Sequence, residues 1–137
     1  METVMKCKRE KLEKTRTGWT HKFAIHGQTS DDKPCTSEFY IIGNTYPDGR
    51  LGEIFLKPAQ NDNPFADQWC RALSVCVQRG APIEELLSLF EFVKFQPAGM
   101  TDNPEIPMTH SVADYVVKWL CLKFGSAELN KSRERHV

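Results

Sequence analysis

Residues 46–56 read YPDGRLGEIFL; the first half of this stretch joins two apolar runs, 38–43 (EFYIIG) and 51–57 (LGEIFLK). Pro47 presets φ for the second position of a type I turn, and Asp48 can bond back to the backbone. Gly49 can take a positive φ that costs other residues about 1 kcal/mol. Both flanking runs are rich in β-branched and aromatic residues, so the stretch predicts a β-hairpin.

An earlier strand is predicted over 20–26 in WTHKFAIHG, with Trp19, His21, Phe23 and Ile25 on one face and Lys22, Ala24 and His26 on the other. Residues 27–35 (GQTSDDKPC) and 58–64 (PAQNDNP) are polar, turn-rich loops. Beyond the second loop, Asp62 or Asn63 is placed to cap a helix with Pro64 at its first position. Phe65, Trp69, Ala72, Leu73, Cys76 and Val77 then recur at helical spacing, and Gly80 stops the run. Pro82 starts a second helix, fading near Val93, whose stripe is Ile83, Leu86, Leu87 and Phe90. Residues 95–107 (FQPAGMTDNPEIP) hold three prolines and a glycine and read as a packed-down loop. The last helix spans 112–124; Ser111 followed by Asp114 resembles a capping box, and Gly125 ends it. Three strands followed by three helices predict an α+β fold, a three-stranded antiparallel sheet with the hairpin and the helices packed on one face.

The 137 residues suit one domain that buries roughly two thirds of its unfolded surface. No apolar run approaches the roughly 20 residues of a membrane helix, and METVMKCKREKLEK has no apolar signal core. The expectation is a cytoplasmic protein with no membrane partner. Net charge is zero but uneven: residues 1–17 carry six Lys/Arg against three Glu, and residues 126–137 carry a further net +1, leaving an acidic middle. The expected organisation is a basic arm (1–17), a folded domain (18–125) and a polar tail (126–137). The arm reads first as a solvated terminus, or as steering for nucleic acid or an acidic partner. The five cysteines are odd in number and irregularly spaced, without a C-x-x-C; Cys70, Cys76 and Cys121 read as small buried hydrophobes and no metal site is expected.

No nucleotide-binding glycine motif is present. His21 and His26 face opposite sides of one strand and cannot share a metal. Asp48, Arg50 and Glu53 cluster around the hairpin tip, as a solvated turn or as a grip on a polar ligand. Arg71 and Arg79, eight apart on one helix, suit a phosphate or surface salt bridges. From the residues alone, no catalytic set is visible.

Taken in order, GWTHKFAIHG, YPDGRLGEIFLK, RALSVCVQRGAPIEELLSLFEFVKFQPAGMTDNPEI and HSVADYVVKWL resemble one family, the TSCPD-type C-terminal accessory domain of adenosylcobalamin-dependent (class II) ribonucleotide reductases, which also occurs as short stand-alone proteins. The family pattern runs T-H-K-F, a tyrosine-containing strand, D-G-x-x-G-E-I-F, a S-x-x-L-Q-x-G-V-P helix pair, R-F-x-P-x-G and S-x-x-D-Y. The matches are Thr20, His21, Lys22, Phe23 and Tyr40, then Asp48, Gly49, Gly52, Glu53, Ile54 and Phe55, then Ser74, Gln78, Gly80 and Pro82. Phe95, Pro97, Gly99, Asn103, Pro104, Ser111, Asp114 and Tyr115 complete them. The chain departs where the family often has K-E-G-S or K-E-G-A, with Gln60, Asn61, Asp62 and Asn63 instead, and Trp69 and Cys70 replace smaller residues.

The resemblance implies a domain without the reductase's radical chemistry. The thiyl-radical barrel, its cysteines and the adenosylcobalamin site belong to a part that 137 residues cannot contain, so no cofactor is expected in this chain. It implies a non-catalytic accessory module for deoxynucleotide supply, with a reductase, another protein, a nucleotide or, through the basic arm, nucleic acid as partner, and a homodimer as a further option. The rival expectation is a phage- or mobile-element-type interaction protein that sequesters a host protein or nucleotide signal. The candidate ligand- or partner-contacting residues are His21, Lys22, Asp48, Arg50, Glu53, Asn61, Asn63, Trp69 and Arg71.

Overall fold

The computed structural model describes residues 8–28, 31–60 and 64–125. Its elements run β1 (Thr17–Gln28), β2 (Pro34–Thr45), β3 (Leu51–Pro58), α1 (Pro64–Gln78), α2 (Ile83–Phe90), β4 (Gly99–Thr101), β5 (Met108–Thr109) and α3 (Val112–Phe124). The strands form a five-stranded sheet in the order β3-β2-β1-β4-β5. The α+β class holds, but the three-strand count does not. Residues 95–107, expected to be a loop, contain β4, and β5 follows directly. These strands of three and two residues are too short to show an alternating pattern in sequence. Among the described residues no helix is long and apolar enough to cross a membrane. The chain divides into two compact units.

The first unit holds 1–22 and 39–82, of which 1–7 and 61–63 lie outside the described residues. Its frame is the predicted hairpin: β2 and β3 pair antiparallel from Phe39↔Pro58 to Thr45↔Leu51, with a register shift between Asn44 and Thr45. The turn closes by Gly49 N–H donating to Tyr46 O and Tyr46 N–H donating to Arg50 O, both at 2.9 Å, and Gly49 takes a φ of 93°. Helix α1 packs on β3. The buried positions of α1 are Ala66, Cys70, Leu73, Ser74 and Gln78; of the predicted stripe Leu73 is buried, Trp69, Val77 and Cys76 (expected to be a buried hydrophobe) are half-buried, and Phe65 and Ala72 are exposed. Phe65 is 87% exposed. The physical reason is that β3 ends the sheet and has backbone groups to satisfy, so α1 brings polar side chains inward. Ser74 Oγ accepts from Ile54 N–H at 3.0 Å, and Gln78 Nε2 donates to Gly52 O at 2.9 Å. Around these bonds Cys70, Leu73, Ile54 and Leu56 are buried, and each large apolar side chain contributes roughly 1.5–3 kcal/mol.

The second unit holds 23–38 and 83–137, of which 29–30 and 126–137 lie outside the described residues. β4 pairs with β1 through Ile25↔Thr101 and with β5 through Met100↔Met108. Phe23, Ala24 and Ile25 are buried in succession, so β1 is covered on both faces here. α2 packs against α3, whose bounds match the predicted helix. Ser111 is its N-cap, accepting from Asp114 N–H at 3.1 Å, and Gly125 ends it by donating its N–H to Cys121 O at 2.8 Å. The Tyr115 ring stacks on Phe23 at 3.8 Å between centroids, and its hydroxyl accepts from Asn103 Nδ2 at 3.0 Å. Burial pushes the Tyr115 phenol up to about 12.

Candidate functional site

The residues singled out from sequence lie mainly in the first unit. Asp48 and Arg50 meet at the hairpin tip: Asp48 Oδ1 accepts from Arg50 N–H at 3.1 Å and Oδ2 from Nε at 2.7 Å. These bonds hold the Asp48 carboxyl below its ordinary range. Arg50 also forks onto Glu10, with its two terminal nitrogens 3.1 and 2.8 Å from the carboxylate oxygens, and lies over the Tyr46 ring at 4.7 Å. The pair is thus a closed ion network that fastens residues 8–16 to the turn. Glu53 does not join it. It is 8% exposed, and its Oε2 pairs with Arg16 and accepts from Asn44 Nδ2 at 3.0 Å. The sequence grouping fails because Glu53 points inward from β3 while Arg50 stays in the solvated turn.

His21 is half-buried on β1, and exposed Lys22 lies 5.8 Å from the Tyr40 ring centroid. Trp69 is half-buried and Arg71 exposed on α1. Asn61 and Asn63 lie outside the described residues.

Residues 8–16, read from composition as a solvated arm, are held along the first unit in an extended course. Glu10 N–H donates to Gln78 O at 3.0 Å, the Tyr46 hydroxyl donates to Glu10 O at 2.5 Å, and Leu12 sits over Gly52. A Cβ at Gly52 would lie 2.5 Å from Leu12 Cδ2, so the glycine makes room for the segment. Arg9 Nε donates to Gln78 Oε1 at 2.8 Å. Along this course Lys8, Arg9, Lys11 and Arg79 line an open groove. Spacing had linked Arg79 with Arg71; the structure links it with the basic segment instead. The density of Lys and Arg in 8–16 was the available signal, and contacts 69 residues apart decide where it lands.

In the second unit Asp114 is fully buried. Its Oδ1 accepts from Phe92 N–H at 2.9 Å. Its Oδ2 lies 3.0 Å from His110 N, Thr109 Oγ1 and Lys118 Nζ. Burial would raise the carboxyl, but the His110 and Phe92 amides and the Lys118 ammonium outweigh it and hold it below the ordinary range. Phe92, at φ 65°, depends on this anchor for a conformation that bulky residues rarely adopt.

The family-pattern positions at these contacts therefore serve the scaffold. Ser74 and Gln78 satisfy β3, Gly49 and Gly52 admit the turn and Leu12, and Ser111, Asp114 and Tyr115 fix α3. Such an assembly, an α+β unit built around the motif residues of one reductase-associated domain, defines the class of protein. The TSCPD domain model matches residues 7–123, and the chain belongs to the TSCPD domain family. It is 37% identical over 126 residues to the vitamin B12-dependent ribonucleotide reductase of Rhodopirellula baltica, covering 90% of this chain and 11% of that protein. It is 39% identical over 140 residues to the enzyme of the same name from Streptomyces avermitilis, covering 94% and 14%. The corresponding protein of Streptantibioticus cattleyicolor is 38% identical, with 94% and 22% covered. The chain thus spans between about a tenth and a fifth of the length of these relatives. No solved structure matches significantly.

Proposed function

We propose that the chain is a non-catalytic accessory module that docks on a ribonucleotide reductase in the cytoplasm and acts in deoxynucleotide supply for DNA synthesis. The observation that carries this reading is what the shared residues do. Ser74, Gln78, Asp114 and Tyr115, matched to the reductase-associated domain, hold the framework together. A domain whose shared positions serve its shape is suited to present a surface. The groove of the first unit is lined by Lys8, Arg9, Lys11 and Arg79 among the described residues.

A second reading, a repurposed interaction protein that sequesters another protein or a nucleotide signal, is favoured by Phe65. This aromatic is 87% exposed on α1, next to the 60–63 segment where the chain departs from the family pattern. Native mass spectrometry of the protein isolated gently from cell extract separates the two. A complex with a reductase supports the accessory reading. A complex with an unrelated protein, or a bare monomer or homodimer, counts against it.

A further inference from the structure

Lys8, Arg9, Lys11 and Arg79 converge on one open groove of about 510 Å³ in the first unit. Four cationic side chains on one groove make a surface that favours the approach of an anion. The groove is built by specific contacts. Gln78 is buried, its Nε2 donates to Gly52 O at 2.9 Å, and its Oε1 accepts from Arg9 Nε at 2.8 Å. The amide is thereby fixed at both ends and orients the Arg9 guanidinium through one of its five N–H donors. Glu10 N–H donates to Gln78 O and ties the cationic run to the end of α1. The acid inside that run, Glu10, is turned to Arg50, which takes both of its carboxylate oxygens.

We propose that this groove binds the phosphate chain of a nucleotide, a di- or triphosphate, through its phosphates and without selecting the base. Guanidinium forks and ammonium groups match phosphate oxygens, and the volume lies in the range of small-molecule sites. Among the described residues the lining holds no aromatic face and no side-chain amide with which to read a base. Arg9, Lys11 and Arg79 contact the phosphates, and Gln78 is a positioning residue that acts through Arg9. The site stands apart from the docking reading, and either can fail without the other.

The test is isothermal titration calorimetry of the full chain with inorganic tripolyphosphate, ATP, GTP and a short single-stranded oligonucleotide. Tripolyphosphate, ATP and GTP should each bind saturably, with Kd values within about threefold of one another. Because the contacts are ionic, affinity should fall as salt rises. Arg79→Ala and Lys11→Ala should each weaken binding about five- to tenfold. Gln78→Leu should give a smaller loss, and Lys94→Ala, an exposed lysine of the second unit that is not in the groove lining, should change nothing. Far-ultraviolet circular dichroism confirms that each variant is folded; should Gln78→Leu not fold, the two surface variants decide the matter. Absence of saturable tripolyphosphate binding overturns the proposal. So does a tenfold preference for one base, unchanged binding in both Arg79→Ala and Lys11→Ala, or an oligonucleotide that binds when tripolyphosphate does not.

Discussion

Replacing Asp114 with Asn keeps the side chain's shape and removes its charge. The carboxylate is fully buried and receives the Phe92 and His110 N–H groups and the Lys118 ammonium, with the Thr109 hydroxyl also in reach. In Asp114→Asn the amide oxygen can serve one side of this set, and the amide NH₂ faces donors on the other. Hydrogen bonds to a charged group contribute about 1.5–3 kcal/mol each, and breaking a buried pair costs about 3–5 kcal/mol. The expected loss is about 3–5 kcal/mol, a large part of the total of about 5–15 kcal/mol usual for a domain. Urea unfolding followed by circular dichroism should show the midpoint falling by about 2 M at an unchanged slope of about 2 kcal/mol per M. The same residue sets a pH dependence. Its carboxyl is held below the ordinary range in the folded state, so the unfolded chain binds the proton more readily. The stabilisation is complete above the usual carboxylate range and is lost as pH falls from about 5 through the folded-state value. Wild-type stability should therefore drop more steeply than that of Asp114→Asn over this interval. A loss below about 1 kcal/mol, or identical pH slopes, would refute the assigned role. Should Asp114→Asn not fold, Lys118→Ala, which leaves both backbone donors in place but removes the ammonium, should destabilise less and make the acid slope shallower than wild type without abolishing it.

Three further outcomes are expected. Ser74→Ala should leave the Ile54 N–H buried without its acceptor, costing about 1–3 kcal/mol and speeding hydrogen exchange at Ile54; unchanged exchange there would count against the role of α1 in covering β3. Gly99→Ala should destabilise by more than about 3 kcal/mol, because Gly99 has a φ of 146° and a Cβ would collide with the His26 carbonyl oxygen. A thermal midpoint within a few degrees of wild type would contradict this. Iodoacetamide should label exposed Cys35 in the native protein and spare Cys70, whose thiol is buried and pushed up to about 12 by desolvation and then by Asp67; mass spectrometry reads both sites, and equal labelling would show that the α1 face opens.

The hairpin and α3 were legible because local chemistry decides them. Pro47, Asp48 and Gly49 specify a turn, and Ser111 with Gly125 brackets a helix. What escaped was set at a distance. The inward face of α1 could not be found from hydrophobic spacing, because Ser74 and Gln78 are drawn in by the backbone of β3, 20 and 26 residues away. β4 and β5 gain their conformation from pairing with β1 and each other, not from their own short sequences. Of the candidate site, the Asp48–Arg50 contact was readable, since two residues in one turn must meet. The inward course of Glu53 and the meeting of Arg79 with residues 8–11 were not, because both depend on partners tens of residues away.

The central claim, that this chain serves a reductase without being one, is tested most directly by deoxynucleotide formation. The assay uses a vitamin B12-dependent reductase from which the matching segment has been deleted, with and without this chain added. The account predicts no turnover by the chain alone, together with a stable complex and a changed rate when it joins the truncated enzyme. Turnover by the chain alone, or no complex and no change of rate, would contradict it.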